Sequence, residues 1–206
     1  MENVTQHSDP HYDQEASKLG MWLFIFTELL LFGGLFIVYS IYRFMNPAAF
    51  QMAGHELNLT IGAINTIILL VSSMTIAMST SALQKKNKGL TVFLLEVTIM
   101  LALIFLINKY FEWGVKFDHG IWPGSQHLLN DMSNGEVLFF GLYFVMTGLH
   151  ALHIVVGMVL IIVALNKVQK GTVNENRPSL LENAGLYWHL VDLIWIFLFP
   201  LFYLIH

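Results

Sequence analysis

Residues 141–165 read GLYFVMTGLHALHIVVGMVLIIVAL, and residues 183–206 read NAGLYWHLVDLIWIFLFPLFYLIH. Both runs are long enough to cross a bilayer as helices, which takes about 20 apolar residues. Each nonetheless carries ionisable groups three residues apart: His150 and His153 in the first, His189 and Asp192 in the second. Positions three apart are neighbours on a helix surface, so each run presents a polar spot on an apolar cylinder. An ionisable group in hydrocarbon costs roughly 2.5–3.5 kcal/mol on insertion scales, and such groups face protein or water rather than lipid. The rest of the chain is therefore read as what packs around these two spots.

Composition agrees with lipid as the solvent. Of 206 residues, 56% are hydrophobic and 12% charged, against about 45–50% and about 25% in soluble domains. The absence of cysteine excludes disulfides, thiolate zinc sites and cysteine-ligated iron–sulfur clusters. A net charge of -4 leaves no basic footprint for nucleic acid. Residues 1–18 are polar and contain acids, unlike the basic start of a cleavable signal peptide; they read as a short soluble tail before the first span.

Working outward from the closing pair, the sequence predicts an all-α, polytopic membrane protein. One domain, residues 19–206, forms a bundle of five transmembrane helices at about 19–44, 57–83, 90–113, 136–166 and 184–205. Asn46-Pro47 ends the first span, because a residue before proline is pushed out of the helical region. The second span is rich in Ser and Thr, which permit close contact with neighbouring helices. Pro123-Gly124 marks a turn in the longest connection. No alternating pattern suggests a barrel. Lys18, Lys85, Lys86, Lys88, Lys167, Lys170 and Arg177 fall on one side, and Arg43, Lys109 and Lys116 on the other. This bias places the N-terminus in the cytoplasm and the C-terminus outside. Tyr39, Tyr42, Trp113, Trp122 and Tyr203 stand near span ends and fit interfacial belts.

Glu28 lies deep in the first span, in FIFTELLLFGG, with no cation in its span nearer than Lys18 or Arg43. It reads either as a proton-exchanging carboxyl or as a neutral acid hydrogen-bonded inside the bundle. Lys109 and Glu112, three apart, read as an interfacial ion pair with Lys109 snorkelling outward. His150, His153, His189 and Asp192 admit three readings: a metal site, a bis-His haem with one ligand from each helix, and a structural polar network. A small proton-coupled transporter built around Glu28 is a further reading. Tyr187, Trp188, Trp195, Phe197 and Phe199 read as packing and interface anchors.

These residues carry a resemblance. LGMWLFIFTELLLFGGLF (19–36), LNLTIGAINTIILLVSS (57–73), TGLHALHIVVG (147–157) and WHLVDLIWIFLF (188–199) resemble, in order and spacing, the helices of subunit III of the haem–copper oxidases. Glu28, Asn65, Thr66, His150, His153, Trp188, His189, Asp192 and Trp195 fall on family positions. The long family form has seven helices, of which five are legible here. Lys109 stands where the family usually has Gln.

The resemblance implies an accessory subunit of a proton-pumping cytochrome c oxidase in a bacterial cytoplasmic membrane. It would pack on subunit I, beside subunit II, and support proton uptake and durability. Haem and copper would belong to those partners and none to this chain, with Glu28 proton-related and no catalytic residue here. A quinol oxidase or nitric oxide reductase system is the sibling reading, and a stand-alone bis-His haem b protein the more distant one. Phospholipid is expected in a cleft walled by Trp22, His150, His153, His189 and Trp195.

Overall fold

The computed structural model describes residues 14–174 and 178–204. Most of the N-terminal tail, Arg177 of the charge count and the last residue of the fifth predicted span lie outside the described residues.

Five helices long and apolar enough to cross a membrane run α1 (Gln14–Met45), α3 (Leu59–Gln84), α4 (Lys88–Asp118), α6 (Asn134–Gln169) and α7 (Ser179–Phe199, continued by Pro200–Leu204). Two short helices join them, α2 (Pro47–His55) and α5 (Gln126–Asp131). Strands are absent among the described residues. The fold class is thus as the sequence predicts, with corrections at the ends. α1 begins at Gln14, so residues 14–18 are helix rather than tail. The segment after Asn46, expected as a loop, is α2, because Pro47 sits at the first helical position where its missing N–H costs nothing. α4 runs five residues beyond Trp113.

Local chemistry sets the helix starts. The side chain of Asn58 accepts from the backbone N–H groups of Thr60 and Ile61, and that of Asn87 from Leu90. Ser133 and Glu136 form a reciprocal capping box at α6. Lys86 takes a left-handed conformation, φ 59°, to close the three-residue turn between α3 and α4.

Hydrogen bonds fix which ends lie together. Lys18 pairs with Glu182 at 3.2 Å, and Asn183 donates to Ser17 at 2.9 Å, joining the starts of α1 and α7. Lys88 donates to the Gln169 carbonyl at 2.7 Å, joining the start of α4 to the end of α6. At the opposite end the Tyr39 hydroxyl donates to the Leu201 carbonyl at 2.6 Å.

α7 is the most enclosed span and packs against α1, α3 and α6, while α4 packs on α3 and α6. Three hydroxyl residues of α3 turn fully inward: Ser72, Thr75 and Ser79 are buried, and Thr75 bonds Thr98 of α4 at 2.8 Å. Trp188 and Trp195 of α7 donate to Ser72 and Thr66 of α3 at 3.1 and 3.0 Å. Tyr39 and Tyr203, expected in interfacial belts, are instead buried in the bundle. Their hydroxyls find partners inside, which an interfacial tyrosine would seek in water.

Glycine makes room for these aromatics. A Cβ on Gly157 would stand 2.8 Å from the Trp188 ring, whereas one on Gly34 would meet nothing within 4 Å. Gly157→Val is therefore expected to destabilise the bundle by about 1–3 kcal/mol through overpacking, and Gly34→Ala to leave it unchanged or slightly more stable. Thermal unfolding of both variants in detergent checks this; equal midpoints would contradict the close contact.

Candidate functional site

Two polar clusters lie at membrane depth. The first joins α1 to α6. α1 is 32 residues long, and Glu28 falls fourteen residues from its start, about 21 Å along the axis and near its middle. His153 of α6 faces it, with Nε2 at 2.9 Å from a Glu28 carboxyl oxygen. The other ring nitrogen, Nδ1, donates to the Leu149 carbonyl at 2.7 Å. That bond fixes the chemistry of the pair. With Nδ1 carrying a proton, either the Glu28 carboxylic acid donates to a neutral ring, or an imidazolium donates to a carboxylate. One proton is shared between the two groups, and both forms are neutral overall. The polar partner that α1 lacks in its own sequence thus comes from α6. Phe32 packs edge-on against the His153 ring at 5.3 Å, and the Tyr187 hydroxyl donates to the His153 carbonyl at 3.2 Å.

The second cluster is built on α4. Lys109 and Glu112 pair at 3.0 Å, three residues apart as the sequence suggests. Their place corrects the sequence reading: Lys109 is only 4% exposed and Glu112 5%, so the lysine turns into the bundle and does not snorkel. Inside hydrocarbon an ammonium needs all three of its protons accepted, and these are. Lys109 Nζ donates to Glu112 Oε2, to the Tyr143 hydroxyl at 3.2 Å and to the Tyr203 hydroxyl at 3.1 Å. Both tyrosines in turn donate to Glu112 Oε1, Tyr143 at 2.8 Å and Tyr203 over a shorter bond. Four side chains from α4, α6 and the C-terminal turn therefore close a ring of hydrogen bonds. The Tyr143, Trp195 and Tyr203 rings stand 5.1, 5.3 and 5.7 Å from the ammonium, which adds cation–π attraction. Lys116, one turn past Glu112, is also buried and donates to the Glu56 carbonyl at 3.3 Å. Glu112 and Lys116 line a cavity of about 220 Å³ with Glu56, Asn58 and His119.

Pro200 brings Tyr203 to this ring. Its missing N–H interrupts the helical ladder, and residues 200–204 continue as a wider π-helical turn. Sequence reasoning assigned Tyr203 to the membrane interface and gave Tyr143 and Lys116 no site role. The available signal was the i, i+3, i+7 placement of Lys109, Glu112 and Lys116 on one helix face.

The remaining candidates separate. His150 is fully buried between the Phe105 and Trp195 rings, 5.7 and 5.1 Å away, and neither of its nitrogens has a partner among the described residues. His189 bonds the Ser73 hydroxyl through Nδ1 at 2.7 Å. Asp192 is buried, with neither carboxyl oxygen hydrogen-bonded among the described residues. Trp188 is buried on Ser72. The donor set fits a haem or metal poorly. Both nitrogens of His153 are engaged, the His150 ring is enclosed by aromatics, and no group of three or more His, Asp and Glu side chains converges among the described residues.

The expected cleft wall is also corrected. His150 and Trp195 are enclosed in the bundle and cannot wall an open cleft, and Trp22 is 60% exposed on the outside of α1. An apolar groove of about 190 Å³ lies elsewhere, between α1 and α7, lined by Leu29, Phe32, Gly33, Phe36, Leu193, Ile194 and Phe197.

The ring around Lys109 predicts an asymmetric double-mutant cycle. Lys109→Met leaves the Glu112 carboxyl buried without its cation and is expected to cost ~3–5 kcal/mol of stability. Lys109→Met combined with Glu112→Met removes both charges and is expected to recover most of that loss. Thermal denaturation of the single and double variants measures it, and additive losses would show that the pair is uncoupled.

Comparison with known proteins places this geometry. A family model described as cytochrome c oxidase subunit III matches residues 2–206. A cytochrome c oxidase subunit 3 of Synechocystis sp. is 33% identical over 197 residues, covering 95% of this chain and 78% of that protein. A probable quinol oxidase subunit 3 of Staphylococcus haemolyticus is 29% identical over 196 residues, covering 94% and 91%. A haem–copper oxidase subunit I+III of Aeropyrum pernix is 30% identical over 203 residues; the match takes in 94% of this chain and only 23% of that longer protein. With a family match over residues 2–206 and five helices long and apolar enough to cross a membrane, the chain belongs to the cytochrome c oxidase subunit III family.

Proposed function

We propose that this chain is the accessory membrane subunit of a proton-pumping oxidase that reduces oxygen to water. The observation that carries the reading is the family match over residues 2–206, together with a deep carboxyl held by a histidine of the neighbouring helix. In this reading the chain packs on subunit I, a partner suggested by the relative named as a fused subunit I+III. Subunit II completes the complex and, with subunit I, holds the redox centres. The Glu28–His153 pair keeps one mobile proton at mid-membrane without net charge, a device suited to supporting proton uptake. The apolar groove between α1 and α7 takes a phospholipid acyl chain, since Gly33 leaves it open on the α1 side. Lys85, Lys86, Lys88, Lys167 and Lys170 cluster at one end of the bundle, while Lys109 and Lys116 of the opposite half are buried. That asymmetry favours a cytoplasmic N-terminus in a bacterial inner membrane.

Cytochrome c is the electron donor we favour. A quinol donor is the second reading, motivated by the quinol oxidase relative, which this chain matches over 91% of its length. Affinity purification of the tagged chain from its own membranes separates these readings. Co-purification of a haem–copper subunit is expected, and a copper pair in subunit II would assign cytochrome c. Recovery of the chain alone, as a stable monomer, would end the oxidase assignment.

Glu28→Gln keeps the shape and a hydrogen bond to His153 but has no proton to exchange. It is expected to leave assembly intact and oxygen reduction largely active, with at most a partial loss of proton pumping or of lifetime during turnover. Glu28→Lys sets an ammonium against the His153 ring and should impair assembly. Oxygen uptake and haem content of membranes from both variants decide the matter. Complete loss of oxygen reduction in the glutamine variant, with the haems retained, would make Glu28 an obligatory acid and overturn the accessory role.

A further inference from the structure

Glu96 departs from the rule that every other deep acidic, basic or histidine side chain among the described residues of the bundle obeys. Glu28, Lys109, Glu112, His150, His153, His189 and Asp192 all turn inward or find a partner on a neighbouring helix. Glu96 is exposed, eight residues from the start of α4, which is about 12 Å along the axis. It has no hydrogen-bond or ion-pair partner among the described residues. Its surroundings on the outer face of α4 are apolar: Phe93 is 60% exposed and Met100 62%, followed by Leu103 and Ile107. Among the described residues it is the only acidic or basic side chain that is exposed more than two turns from the end of a span.

The other outward faces show what a lipid-facing surface of this protein looks like. Along the middle of α6, residues 141–163, the exposed positions are Val145, Leu152, Val155, Val156, Val159, Ile162 and Val163, with no ionisable group among them. The middle of α1 is likewise apolar apart from hydroxyls, and those bond the helix backbone: Thr27 to the Phe24 carbonyl and Ser40 to the Phe36 carbonyl. A carboxyl has no donor to meet in acyl chains, and ionisable groups in spans face protein or water. The outer face of α4 therefore differs from its neighbours in the one property that lipid does not tolerate.

We infer that the face of α4 carrying Phe93, Glu96 and Met100 docks against a transmembrane helix of the haem–copper subunit. That helix presents a hydrogen-bond donor, a lysine, arginine or protonated side chain, to the Glu96 carboxyl. This rests on the oxidase-subunit reading given above. The occupant is chosen by complementarity: an unpaired acid in an apolar stripe asks for a donor set in an apolar stripe, and a lipid tail supplies none. The contrary account is that Glu96 faces lipid and bends its carboxyl toward the lysine-rich end of the bundle. The two accounts differ over lysine. A longer basic side chain snorkels more easily than Glu and suits that end of the membrane, so a lipid-facing site accepts Glu96→Lys without loss. A site facing a partner's donor does not.

The test uses the complex as it exists in membranes. Three tagged chains are compared, wild type, Glu96→Gln and Glu96→Lys, by the haem of the partner subunit recovered per tagged chain. The glutamine variant, which still accepts a hydrogen bond, is expected to stay near wild type. The lysine variant is expected to lose roughly fivefold or more, because like charges facing across an interface oppose association. Unchanged recovery with Glu96→Lys overturns the inference. In the second arm a photo-reactive phenylalanine analogue replaces Phe93 or Met100 in the otherwise wild-type chain, so its result stands even where the lysine variant fails to accumulate. Adducts with the haem–copper subunit support the docking face; adducts with lipid alone, or with another polypeptide, overturn it. Absence of any haem–copper subunit from the wild-type preparation would instead be a failure of the oxidase reading.

Discussion

A lysine ammonium inside hydrocarbon is tolerated only when every one of its protons is accepted by the protein. Lys109 meets that demand with one carboxylate oxygen and two phenol oxygens, and Glu112 is satisfied by the same groups in return. Much of the architecture follows from this closed ring. It sets the rotation of α4, since Lys109 and Glu112 must both point inward. It fixes the height of α6 through Tyr143. It also requires the chain after Pro200 to bend Tyr203 back toward α4, which the wider final turn accomplishes.

The Glu28–His153 pair obeys the same constraint with a different outcome. There the carboxyl meets a group that either takes a proton or gives one, so the pair stays neutral wherever the proton sits. Lys109 and Glu112 form a charge pair that organises the half of the bundle where α4 ends, while Glu28 and His153 form a neutral hydrogen-bonded pair near the middle of α1. The two use different faces of α6: Tyr143 and His150 turn toward α4 and the C-terminal segment, His153 toward α1.

The five spans were legible in the sequence because apolar runs of this length have few alternative fates. The short helices α2 and α5 were not, since nine and six residues give too little periodicity to distinguish from a loop. The membrane-depth acid Glu28 was legible as polar and buried, but its partner was not, because the 125 residues that separate it from His153 carry no local signal of contact. His150 and His153 were read as one polar spot. Three residues on a helix turn through 300°, so their side chains diverge by about 60°, and each faces a different neighbour. Lys109 was expected to reach outward because a lysine near a span end commonly does so. Its inward turn depends on Tyr143 and Tyr203, one on another helix and one beyond a proline that shifts the helical register.

The place of Tyr203 in the chain, beyond α4, α6 and α7, bears on biogenesis. Lys109 and Glu112 enter the membrane together on α4, and Tyr143 follows with α6, but the hydroxyl that completes the ammonium's shell arrives only with the turn after Pro200. Until that turn is in place, α4 carries a charge that is incompletely solvated. The order of the helices thus sets when the ring can close: the fifth span must be inserted before the buried charge of the third is fully accepted.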